Sequence, residues 1–99
     1  MNDFQRQCIA VATKILNEKG FETIRFDEVA GKTQNYLVAE IQRDTGQLKI
    51  YIYEAGAEFS AGKEWLICEK EDFRSSQELI EAFSQLLSNK IPPAAPSKS

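Results

Sequence analysis

The chain has 99 residues, 42% of them apolar and 27% charged, which are the proportions of an ordinary soluble domain with its own core. A net charge of −3 argues against a nucleic-acid-binding surface, which is built on a basic excess. Histidine is absent, so Ser-His-Asp, Cys-His and His-zinc chemistry have no basis within one chain.

The first predicted element is an amphipathic helix. Asn2 or Asp3 can cap it, and Gln5 can reach back to Asn2 from the third helical position. Phe4, Cys8, Val11, Ala12 and Ile15 recur at helical spacing, with Ile9 and Leu16 widening the stripe. Gly20 supplies a left-handed stop. Phe21 to Phe26 then reads as a short strand with Ile24 and Phe26 on one face, and residues 27–35 as a polar connection.

The stretch from Tyr36 to Tyr53 reads as a β-hairpin around Asp44-Thr45-Gly46-Gln47. A pairing of Arg43 with Leu48 sets Ile41 against Ile50 and Ala39 against Ile52. It also sets Glu40 against Tyr51 and Val38 against Tyr53. One face is then apolar throughout: Leu37, Ala39, Ile41, Leu48, Ile50 and Ile52. A one-residue slip would place Glu40 against Ile50, so burial selects this parity. The other face carries Val38, Glu40, Gln42, Lys49, Tyr51 and Tyr53, a mixture neither dry enough for core nor polar enough for plain surface.

Residues 54–64 read as a loop of small residues around Gly56 and Gly62, which could fold Phe59 and Trp65 back over that mixed face. Trp65 to Glu69 forms a further strand. Ser75 caps a second helix, with Glu78 completing a capping box. Its stripe is Leu79, Ile80, Phe83, Leu86 and Leu87, and Asn89 and Pro92-Pro93 end it. The expected fold is α+β: a two-layer sandwich of helix, antiparallel meander of three or four strands, and helix, both helices on one face. Residues 1–91 make one domain and residues 92–99 a disordered tail.

Cys8 and Cys68 fall in different elements beside apolar residues and are expected to be reduced, buried hydrophobes. With no apolar run near ~20 residues and no signal peptide in the opening MNDFQRQC, the expected location is cytoplasmic.

The candidate chemistry is thin. Gly31-Lys32-Thr33 ends like a phosphate-binding loop, but Phe26 stands where its first glycine belongs. Helix, strands and helix in this order resemble a double-stranded RNA-binding domain, yet Ser75-Ser76-Gln77-Glu78 stands where its lysines would be. Leu37-Val38-Ala39-Glu40-Ile41-Gln42 resembles the acid-bearing strand of PD-(D/E)xK nucleases, with Gln42 in place of the usual lysine. That resemblance implies a metal-dependent enzyme, or a degenerate one, using Glu40, with Asp27 or Glu22 as second acid. Pairing of strand 21–26 with strand 36–43 would leave Asp27 about four residues from Glu40, ~13 Å and too far to share one ion.

The reading that best accounts for the mixed face is a small, non-catalytic interaction protein of adaptor, chaperone, immunity or inhibitor type. It needs no cofactor, and it would bind a protein partner, or a second copy of itself, through Arg25, Val38, Glu40, Tyr51 and Tyr53. Tyrosine and arginine among neutral polar groups are enriched at interfaces. An unpaired strand edge could also add to another chain's sheet.

Overall fold

The computed structural model describes residues 1–22, 24–43 and 46–93. Helix α1 (Asp3–Glu18) precedes strands β1 (Asp27–Ala30), β2 (Asn35–Arg43), β3 (Gly46–Tyr53), β4 (Gly56–Ala61) and β5 (Glu64–Glu69), a 3₁₀ turn over Lys70–Asp72, and helix α2 (Ser76–Lys90). The strands form one antiparallel meander in chain order, β1-β2-β3-β4-β5. It is an α+β protein of two layers.

Local chemistry explains the helix ends. Asn2 Oδ1 accepts from the Gln5 amide at 2.8 Å, while Gln5 Oε1 accepts from the Asn2 amide at 3.0 Å, a complete capping box. Gly20, at φ +99°, turns the chain out of α1 in a conformation only glycine adopts freely. Ser75 Oγ caps α2 by accepting from the Glu78 amide at 3.2 Å, but the Glu78 carboxylate turns to the amide of Arg74 at 3.5 Å, so only half of the expected box forms. The helix runs one residue past Asn89, and Pro92 and Pro93 follow exposed. The tail expected at 92–99 lies outside the described residues from 94 on.

The two helices run in the same direction. Asn2 Nδ2 donates to the Glu54 carbonyl, and the Lys70 amide donates to the Ala55 carbonyl, so both helices start at the β3–β4 turn. Their far ends meet where Lys19 Nζ donates to the Ser88 carbonyl at 2.8 Å. Cys8, Ala12 and Leu16 of α1 and Leu79, Ile80, Phe83 and Leu87 of α2 join Leu37, Ile41, Leu48, Ile50, Ile52, Ala57 and Phe59 of the sheet in one apolar cluster.

Three expectations need correction. The first strand is not Phe21–Phe26 but Asp27–Ala30, which pairs with β2 across a short turn closed by the Gly31 amide and the Gln34 carbonyl. Turn closure outweighs the apolar residues, and Phe21, Ile24 and Phe26 pack against the core without a ladder. Next, the hairpin is tighter by two residues: Arg43 pairs with Gly46, Ile41 with Leu48, Ala39 with Ile50 and Leu37 with Ile52. Because the slip is even, every side chain keeps its expected face, while Asp44 and Thr45 lie outside the described residues.

The largest correction concerns residues 54–64. Gly56–Ala61 is a strand, bringing the meander to five, and Ala57 and Phe59 are buried in the core. Small residues hid a period-2 alternation in which Ala57, Phe59 and Ala61 face inward and Glu58 and Ser60 outward.

Candidate functional site

The outer face of the sheet is built by the residues alternate to the core. Register places Asp27, Val38, Tyr51, Glu58 and Ile67 in one row across the five strands. The neighbouring row carries Val29, Tyr36, Tyr53, Gly56 and Glu69, and the row on the other side Glu40, Lys49, Ser60 and Trp65.

Three tyrosines mark its centre. Tyr36 and Tyr53 have ring centroids 5.4 Å apart, Tyr36 and Tyr51 6.2 Å, and Tyr51 and Tyr53 6.3 Å with rings nearly parallel. All three are half-buried. Trp65 and Ile67 extend the patch along β5 and are 62% and 53% exposed. Glu58 lies between the two aromatic groups, and its Oε2 accepts from Trp65 Nε1 at 2.9 Å. Burial, with the Glu58 carboxylate beside the ring, pushes the Tyr53 hydroxyl up to about 12. At the Tyr53 end an open groove of about 770 Å³ continues over Gly56, Ile67, Glu69 and Phe73.

Of the residues expected at the site, Val38, Glu40, Tyr51 and Tyr53 share this face, but not in the expected pairs. Val38 lies opposite Tyr51, not Tyr53, and Glu40 opposite Lys49, not Tyr51. Glu40 is exposed, 3.7 Å from Lys49 Nζ, and accepts from Gln47 Nε2 at 3.3 Å. Arg25 lies before β1 and pairs with Asp27 at 2.9 Å. Asp27, opposite Val38, is two residues from the level of Glu40, closer than the four expected. Each of these two acids has a basic neighbour, and among the described residues no group of three or more Cys, Asp or Glu could hold a metal ion.

The segment that could have folded back over the face extends it instead. β4 lies beside β3, so Phe59 belongs to the core and Trp65 to the outer face. Tyr36, Glu58, Trp65 and Ile67 were missed as site residues. Tyr36 has the parity of Val38 and could have been read from β2 directly. The others required recognising β4 as a strand.

Both thiols belong to the core and are free, and Cys68 also lines the groove at the Tyr53 end. Burial, with Cys68 nearby, pushes Cys8 up to about 12; burial and nearby Asp72 also raise Cys68. Neither thiol is set up as a nucleophile. No helix among the described residues is long and apolar enough to cross a membrane. Comparison with protein-family models, curated proteins and solved structures gives no match.

Proposed function

We propose that this is a small, non-catalytic interaction protein that takes a protein partner on the outer face of its sheet, centred on Tyr51 and Tyr53. The observation that carries the reading is the Tyr36–Tyr51–Tyr53 cluster, joined across Glu58 to exposed Trp65 and Ile67 and bordered by Glu40 and Lys49. An aromatic centre inside a charged rim is the make-up of a binding patch, because rigid rings bury large areas at low entropic cost. Val38 adds aliphatic surface at the centre, and Arg25 and Glu40 belong to the rim. A reducing compartment, the cytoplasm, suits two free thiols buried in the core.

Affinity capture followed by mass spectrometry tests this reading, with Tyr51→Ala and Tyr53→Ala compared against Lys14→Ala on the exposed side of α1. The tyrosine variants should keep the parent circular dichroism spectrum and lose the partner, while Lys14→Ala retains it. Unfolding of the tyrosine variants would make the face core, and equal capture by all three would remove the partner site from it.

A further inference from the structure

β5 is an open edge of the sheet, and its two most exposed apolar side chains, Trp65 and Ile67, share one face. The other edge, β1, has four residues and carries Asp27 and Glu28, with Arg25 just before it. Short length and charge are the usual protection against strand addition. β5 has six residues and lacks that protection along its middle.

The direction of its backbone groups can be worked out. The Lys70 amide donates to the Ala55 carbonyl, which continues the β4–β5 ladder by one residue. Hydrogen-bonded pairs alternate along an antiparallel ladder, so Cys68, Leu66 and Glu64 direct their backbone groups toward β4. A Cβ placed on Gly56 would lie 2.9 Å from the Cys68 carbonyl oxygen, which agrees with this parity. The N–H and C=O groups of Trp65 and Ile67 therefore point outward.

Helix α2 offers a second apolar element on the same side. Lys90 lies 3.9 Å from Glu64 of β5, while Ser88 faces Lys19 of α1. At 100° per residue, the flank of α2 beyond Lys90 and away from α1 carries Leu86 and Ala82. Phe73 lines a shallow hollow of about 520 Å³ with these two residues, and it also lines the groove beside Ile67. The open edge thus has apolar side chains on both faces.

We infer that β5 pairs with β5 of a second copy of this chain, antiparallel across a two-fold axis at Leu66. This contact shares Trp65 and Ile67 with the flank of the tyrosine patch but involves none of the three tyrosines. With Leu66 against Leu66 at the axis, Trp65 of one copy lies against Ile67 of the other, twice. All four outward backbone groups of Trp65 and Ile67 are then satisfied on each chain. Lys63 comes opposite Glu69 at both ends of the contact, and neither has an ion-pair partner among the described residues. Self-complementarity of apolar with apolar and of plus with minus is what an isologous contact requires. The two α2 flanks, each over β4 and β5, come about two strand spacings apart, roughly 10 Å, a normal distance for packed helices.

Light scattering on a sizing column, with sedimentation velocity over a dilution series, tests this on the whole chain. The expected mass is twice 11.2 kDa. Lys63→Glu and Glu69→Lys should each weaken the dimer about tenfold, and the double variant should restore it. Ile67→Lys should give a folded monomer. Ile67→Cys should be joined across the axis by a short bis-maleimide, whereas Tyr51→Cys should not. A parent that stays monomeric at its solubility limit overturns the inference. So does a dimer that Tyr51→Ala dissolves and Ile67→Lys leaves intact, a result that would instead place self-association on the outer face.

Discussion

Phe59→Ala compared with Trp65→Ala is the most direct test of how the sheet divides inside from outside. Phe59 has no exposed surface and lies between Ile50 of β3 and Leu66 of β5. A buried aromatic of this size removes ~150–250 Å² from water, so at ~25 cal/mol/Å² its burial is worth ~4–6 kcal/mol as an upper bound. Mutational series place Phe→Ala at ~3–5 kcal/mol. A domain of this length has ~5–15 kcal/mol in all, so the variant loses a fifth of its stability or more and melts at least ~12 °C lower. Trp65 is 62% exposed and its indole donates to Glu58 in an exposed hydrogen bond, so Trp65→Ala should cost at most ~1 kcal/mol. Urea unfolding followed by far-ultraviolet circular dichroism reads both, since the second variant has no tryptophan. Equal losses in the two variants, or a Phe59→Ala loss below ~1 kcal/mol at unchanged m-value, would refute the assignment of faces.

Gly56→Ala should destabilise by ~1–3 kcal/mol in the same assay, because the new methyl meets the Cys68 carbonyl at 2.9 Å and β5 has to move. Alkaline stability follows from Cys8. The unfolded thiol sheds its proton near 9.0 and the folded one only near about 12, so the native state binds more protons in that window and stability falls as pH rises through it. Cys8→Ala should flatten this decline in denaturant midpoints measured from pH 9 upward, leaving the losses that Cys68 and, above 10, Tyr53 contribute. Glu58→Gln removes the charge beside Tyr53, so the highest tyrosine midpoint in an ultraviolet absorbance titration should drop from about 12.

Where a local signal and burial agree, the fold is legible in the sequence. Both helices start at their expected caps, Asn2 and Ser75, and the apolar face of the hairpin keeps its six residues despite the shifted register. The misreadings arise where local composition and tertiary pairing compete. Phe21-Glu-Thr-Ile-Arg-Phe has strand composition, but the turn at Gly31–Gln34 gives the pairing to the polar Asp27–Ala30. In Gly56–Ala61 one buried phenylalanine among alanines, glycine and serine carries too little hydrophobic contrast to show its alternation, although two neighbouring strands hold it in place. The same residues account for what was legible of the site. Val38, Tyr51 and Tyr53 follow from parity within the hairpin, whereas Trp65 and Ile67 join them only through β4.

The parallel pair of helices has a bearing on the order in which the chain folds. Each strand pairs with its neighbour in sequence, so the meander can form from contacts a few residues apart. The contact between Lys19 and Ser88, by contrast, closes a span of 69 residues. During synthesis the sheet and α1 are available while Leu48, Ile50 and Phe59 still lack the residues of α2. Completion of the core waits on the last helix to emerge, and until then the nascent chain presents a greasy half-face to its surroundings.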